Sequence, residues 1–130
     1  MCSLSGCIGG LGLDTKEKIV RNYYLVAADD ESQLSLSYCD PNDKDGCEGI
    51  TEPTIFAAGY NKDYIITKQH PHNNRNTTNY FILPLDPQRK SKWGDNFGLI
   101  GPLSLEQFNG KTKELNISDL KFTIEKESLK

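Results

Sequence analysis

The residue types best suited to chemistry lie in an acidic turn near the middle of the chain. Asp43, Asp45 and Glu52 stand around Gly46. Aligned on a calcium-binding loop, the two aspartates take the third and fifth positions, Gly46 the sixth and Glu52 the twelfth. Carboxylates around a sharp glycine turn suit a hard cation, but Pro41 at the first position brings no side-chain ligand. The spacing leaves two interpretations, a calcium site or an ordinary acidic surface turn.

The two histidines of the chain are the other candidate ligands. His70 and His72 stand one residue apart, and Pro71 between them favours a loop over a strand that would present both imidazoles on one face. The local sequence offers no third ligand for a transition metal. The sequence also has no pattern typical of an activated nucleophile or a phosphate-binding loop. We therefore predict no catalytic residues, a protein that is not an enzyme, and no cofactor apart from the calcium of the first interpretation.

Cys39 and Cys47 flank a segment rich in turn-forming residues. Half-cystines so placed across a turn favour a disulfide that closes a hairpin, with a stabilisation of about 2–3 kcal/mol from chain entropy. Such bonds persist in oxidising compartments. The alternative is a pair of free thiols or half a metal site, which no CxxC motif supports.

The segment Leu4-Ser5-Gly6-Cys7 resembles the lipobox of bacterial lipoprotein signal peptides, an aliphatic residue and two small ones before a cysteine. The resemblance implies that Cys7 carries a lipid and anchors the protein in the cell envelope, facing the periplasm or the cell exterior. We expect residues 1–6 to be the tail of a signal peptide, residues 7–18 a lipid-attached tether, and residues 19–130 one globular domain. An ordinary N-terminus that happens to spell this motif is the alternative.

Composition limits the class of protein. With 130 residues, 36% of them hydrophobic and 25% charged, the chain is long enough for one domain with a real core. No stretch approaches the roughly 20 apolar residues of a membrane-spanning helix. The net charge of −3 and the absence of a basic patch argue against nucleic acid as a partner, because binding phosphates requires positive charge.

Hydrophobic periodicity predicts a mainly β, α+β domain, an antiparallel meander of about five to seven strands with one C-terminal helix. Ser104 and Gln107 have the spacing of a capping box, which places that helix at about residues 104–115. A final strand is predicted around residues 120–124. The other predicted strands cover Tyr23–Ala28, Leu34–Tyr38, Thr54–Tyr60, Tyr64–Gln69, Thr78–Leu83 and Leu99–Ile100.

Three segments in order, Tyr64–Gln69, Asn79–Leu83 and Gly101–Phe108, carry a resemblance to a family of small bacterial lipoproteins of uncharacterised function. They read YIITKQ, NYFIL and GPLSLEQF. The resemblance implies a lipobox and a location outside the cytoplasm. It implies no catalytic residues.

These features together predict a non-catalytic envelope lipoprotein that binds an envelope protein or a cell-wall ligand. Tyr60, Tyr64 and Trp93 are the candidates for an interaction surface, since aromatic residues dominate such contacts. Most aromatic side chains in such a domain are nevertheless expected in the core. The alternatives are a calcium-binding domain that uses the acidic loop 40–52 and an inhibitor of an extracellular hydrolase.

Overall fold

The computed structural model describes residues 15–28, 30–42, 46–85 and 97–130. They form two antiparallel sheets and one helix, which confirms the mainly β, α+β prediction. The described strands number nine rather than five to seven, because the sheet edges include strands as short as two or three residues that leave little periodicity. The elements are β1 (Thr15–Val20), β2 (Tyr23–Ala27), β3 (Ser35–Cys39), β4 (Cys47–Gly49), β5 (Ile55–Tyr60), β6 (Tyr64–Gln69), β7 (Asn79–Pro84), β8 (Ile100–Leu103), α1 (Leu105–Glu114) and β9 (Ile124–Glu125).

The first sheet is a meander of β1 to β4 in chain order. Residues 15–18, which the sequence assigned to the tether, lie in β1 and pair with β2. Lys16 and Lys18 are exposed while Ile19 is buried. This is the composition of an edge strand with one wet face, and its charged residues resemble a linker in the sequence.

The second sheet has the order β8-β7-β6-β5-β9. Its central strand β6 has the bounds that the sequence predicts, because a β-branched run between two turns is a strong strand signal. The last strand is shorter than expected, since only Ile124 and Glu125 pair with β5. The preceding residues instead lie against β5, and the carbonyl of Lys121 occupies the place that a side chain on Gly59 would need.

The two sheets and the helix form three layers with two cores. The larger core lies between the sheets and includes Leu25 and Leu36 from the first and Ile65 and Leu83 from the second. The smaller core lies on the other face of the second sheet, where Ile66 packs with residues of α1 and the segment after it. Neighbouring β6 residues thus enter different cores, as expected for a strand buried on both faces.

The predicted helix is confirmed as α1. The Ser104 hydroxyl accepts a hydrogen bond from the Gln107 backbone N–H, and the Gln107 side chain accepts one from the Ser104 N–H. Both bonds satisfy donors that a helix start leaves unpaired. The buried Phe108 packs in the core on the second sheet, and Thr112 is buried as well.

Candidate functional site

One end of the layer between the two sheets opens as a pocket of about 340 Å³. This volume is within the range of small-ligand pockets, about 300–1,000 Å³. Ile50, Thr51 and Glu52, which follow β4, form one wall. The opposite wall comes from the ends of β6 and β7, the loop between them, and the region of β8. The remaining lining residues are Gln69, Pro71, His72, Asn79, Phe81, Leu99 and Pro102.

A chain of side-chain amides crosses the floor of this pocket. Gln69 and Asn79 are directly opposite each other in the β6–β7 pair. The Asn79 Nδ2 donates to the Gln69 Oε1 at 3.0 Å, and the Gln69 Nε2 donates to the Glu52 carbonyl at 2.9 Å. These bonds fix the amide orientations and tie the end of the second sheet to the wall formed by Ile50, Thr51 and Glu52.

The wall after β4 is also held by the first sheet. The backbone N–H groups of Ile50 and Thr51 both donate to the Leu36 carbonyl, at 2.7 and 3.3 Å. The Thr51 hydroxyl accepts the Leu36 N–H at 3.0 Å. One residue of β3 therefore anchors two lining residues, so this wall has a defined position before any ligand binds.

The loop at the pocket mouth has an unfavourable backbone conformation. His72 and Asn73 are consecutive residues with φ of 52° and 61°. Left-handed backbone at a residue with a side chain costs about 1–3 kcal/mol, and such residues cluster at functional sites. Three hydrogen bonds hold the turn: His72 N–H to the Pro53 carbonyl, Asn73 N–H to that of His70 and Asn74 N–H to that of Pro71. The strain is therefore built into the side of the pocket.

Residues 20–128 match the family described as "Protein of unknown function (DUF3997)". The chain belongs to this family. The match includes β2 to β9 and α1, and therefore every residue that lines the pocket. No curated protein and no solved structure matches the chain. Membership of the DUF3997 family confirms the predicted resemblance to an uncharacterised family.

The predicted disulfide is present in this DUF3997 domain. Cys39 and Cys47 are cross-strand partners in β3 and β4, and their sulfurs are bonded. The hairpin they close also has a hydrogen bond from the Asp40 N–H to the Gly46 carbonyl at 2.9 Å. The bond thus fixes the short strand that leads directly into the pocket wall.

The predicted calcium ligands are only partly within the described residues. Asp43 and Asp45 lie outside them, whereas Glu52 is exposed at the pocket mouth. Among the residues described, no three histidine, cysteine or acidic side chains are close enough to hold a metal. Calcium binding by loop 40–52 stays a prediction.

The two histidines are in different environments. His70 is buried and stacks on Phe56 with ring centroids 4.0 Å apart, and its Nδ1 lies 2.9 Å from the Thr77 carbonyl oxygen. His72 is exposed and lines the pocket. The loop predicted from Pro71 is confirmed, and within it each imidazole has separate contacts.

The predicted aromatic surface divides between two faces. Tyr60 is 43% exposed and pairs with Ile65, so it points to the same side of the sheet as that residue. Tyr64 is half-buried against the helix-side core, on the opposite side. Trp93 and the lipid-attachment candidate Cys7 lie outside the described residues. In the part of the chain that is described, no helix is long and apolar enough to span a membrane.

Sequence reasoning did not identify Gln69 and Asn79 as site residues. The sequence signal for Gln69 is a change along one face of β6. Ile65, Thr67 and Gln69 all face the inter-sheet core, and they become progressively more polar along the strand. A buried glutamine in phase with core positions needs hydrogen-bond partners. The change in polarity therefore indicates that apolar packing ends, and a hydrogen-bonded polar network begins, at the end of β6.

Proposed function

We propose that this DUF3997 protein is a non-catalytic binding module of the bacterial cell envelope and that the inter-sheet pocket is its ligand site. One observation carries the proposal. The pocket combines apolar lining residues with two side-chain amides, Gln69 and Asn79, whose orientations are already fixed by hydrogen bonds. Ligand sites combine mostly apolar linings with a few polar groups of fixed orientation. Because the pocket is formed in advance, binding costs little ordering entropy.

The chemistry of the pocket floor suits recognition better than catalysis. The amides of Gln69 and Asn79 do not ionise in the physiological range, and they are poor nucleophiles and poor bases. Their role in a site is to donate and accept hydrogen bonds. The buried Thr51 hydroxyl in the wall is occupied by the Leu36 N–H. These features support a protein that holds a ligand and leaves it unchanged.

The envelope location is supported by two features of the sequence and fold. The segment ending in Cys7 resembles a lipobox, and the Cys39–Cys47 disulfide is typical of an oxidising compartment. In this proposal a lipid on Cys7 attaches the domain to a membrane. Palmitate labelling of the protein expressed from its full gene is expected to disappear in Cys7→Ala, and labelling that persists would reject the anchor.

The pocket is tested by filling it. Leu99 is half-buried in the lining, so Leu99→Trp is expected to occupy the pocket. Leu105→Trp is the matched control, because Leu105 is 54% exposed on α1 and does not line the pocket. Immobilised wild-type protein and the control should capture the same envelope component, and Leu99→Trp should lose it. Equal capture by both variants, with equal melting temperatures, would show that the pocket is not the site.

A further inference from the structure

Among the described residues, Glu52 brings to the pocket a negative charge that no ion pair compensates. Among its lining residues Glu52 has the one carboxylate, and His72 has the one other ionisable side chain. Within the described ranges, no lysine or arginine forms an ion pair with Glu52. The whole chain has a net charge of −3, so long-range electrostatics also favour a positively charged ligand.

The backbone of Glu52 is held in place, whereas its side chain is exposed. The Glu52 carbonyl accepts the Gln69 Nε2 at 2.9 Å, which fixes its backbone against the amide chain. Its side chain is exposed, so the carboxylate stays hydrated until a ligand arrives. Such a group can accept two parallel hydrogen bonds from a planar cation without reorganisation of the wall.

The interior next to this charge is apolar. Ile50, Phe81 and Leu99 contribute hydrocarbon surface to the same lining. An aliphatic stem with a cationic head matches an apolar lining next to an exposed carboxylate, because such side chains bury their methylene groups while the charge stays near water. A compact inorganic cation would leave the apolar walls uncovered, and an anion would meet Glu52.

We propose that the pocket binds an arginine side chain presented by a partner protein. The guanidinium would pair with the Glu52 carboxylate, and the stem would lie against Ile50 and Phe81. Arginine fits better than lysine because its planar fork of donors matches a carboxylate in two places. This inference rests on the proposed function, since it names the ligand class of the same pocket.

The test compares three short peptides that differ in one side chain. Acetyl-Gly-Arg-Gly-amide is titrated against the full 130-residue chain, beside the same peptide with citrulline, a neutral isostere of arginine, or norleucine, which is apolar throughout. The side-chain amide signals of Gln69 and Asn79 in ¹H–¹⁵N spectra report occupancy of the floor. The titrations are carried out at pH 8.

We expect the arginine peptide to shift both amide signals and the citrulline peptide to bind about threefold to fivefold more weakly, the size of an exposed ion pair. Glu52→Gln should remove that difference. Glu106→Gln, an equal charge change on the exposed first turn of α1, should preserve it.

Two results would overturn the inference. Equal binding of all three peptides, abolished by Leu99→Trp, would leave the pocket as a ligand site but reject its selectivity for arginine. No shift of either amide with any peptide would reject arginine as the ligand. The proposed function would then depend on the capture experiment alone, so the two failures are distinguishable.

Discussion

The two faces of the five-stranded sheet are covered in different ways. On the outer face, Phe108 of α1 and Phe122 of the chain after it form an aromatic cluster with Tyr80 of β7. The ring centroid of Phe108 lies 4.8 Å from that of Tyr80 and 5.9 Å from that of Phe122. Lys68 is covered as well, with its Nζ 4.7 Å from the centre of the Phe122 ring. The inner face is covered by the other sheet over most of its area and opens at one end into the pocket.

Strand β6 records this difference residue by residue. Tyr64, Ile66 and Lys68 meet the outer layer, and each has an apolar or aromatic neighbour. On the inner face the buried Thr67 hydroxyl has no hydrogen-bond partner among the described residues, and Gln69 is held by amide bonds. The outer face of β6 is therefore held by apolar and aromatic contacts, whereas its inner face becomes polar toward the pocket.

The largest effect is expected from breaking the outer face at Gly59. A Cβ at this position would lie 1.9 Å from the Lys121 carbonyl oxygen, and that neighbour is backbone. Gly59→Ala should therefore lower the free energy of unfolding by about 3 kcal/mol, at the upper end of overpacking effects. Urea denaturation measures the loss. Gly110→Ala is the control, since nothing lies within 4 Å of its added Cβ; that variant should be neutral or slightly more stable. Equal stability of the two variants would contradict the close approach at Gly59.

A second, smaller loss is expected from breaking the disulfide in the four-stranded sheet, which covers the inner face. Cys39 and Cys47 are eight residues apart, and replacing both by serine should cost about 2–3 kcal/mol of stability through the entropy of the unfolded loop. Urea denaturation of the wild type with and without reductant provides the matched measurement. A reduced wild type as stable as the oxidised form would show that the bond does not support the β4 wall.

The Thr67 hydroxyl, for which the described part of the chain offers no hydrogen-bond partner, is a place to gain stability. Thr67→Val keeps the shape of the side chain and removes this buried polar group, so stability should rise by about 1 kcal/mol. Thr51→Val is the opposite case, because the Thr51 hydroxyl accepts the Leu36 N–H and its loss should destabilise by about 1 kcal/mol. Thermal unfolding of both variants measures the contrast, and changes of the same sign would reject it.

Much of this architecture was predictable from local pattern. The β6 run and the capping box at Ser104 are strong signals because side-chain spacing and backbone capping act within a few residues. The edge strand β1 was not predictable, since its lysines face water and only its pairing with β2 makes it a strand. The close approach of Lys121 to Gly59 likewise depends on residues far apart in the chain.

The candidate site was less predictable than the fold. Its amide chain joins Glu52, Gln69 and Asn79, which are brought together by the return of β7 along β6 and by the approach of the two sheets. Sequence reasoning selected Glu52 for a calcium loop and the histidines for their chemistry. It had no means of placing Glu52 and His72 on the same pocket. Disulfide pairing was accessible, because both cysteines flank one turn.

The smallest effect concerns the charge at the edge of the sheet in β9. The hydrogen bond from Lys130 and the charge of that residue lower the pKa of Glu125, with a smaller contribution from Lys68 on the outer face. A carboxyl whose pKa is lower in the folded state stabilises the fold above its unfolded pKa. That stabilisation is lost as the pH falls through the folded pKa. The Lys130 Nζ lies 2.7 Å from the Glu125 Oε1, but both side chains are exposed, so the effect is slight.

The comparison that isolates this effect is between the wild type and Glu125→Gln across acidic pH. The variant should melt slightly below the wild type at pH 6, and the difference should shrink toward zero as the pH falls to 3. Salt should reduce the difference at pH 6, because exposed charges are screened. A difference that grows on acidification would have the wrong sign for a lowered pKa of Glu125. It would mean that the pair of Glu125 and Lys130 does not stabilise the β9 edge of the sheet.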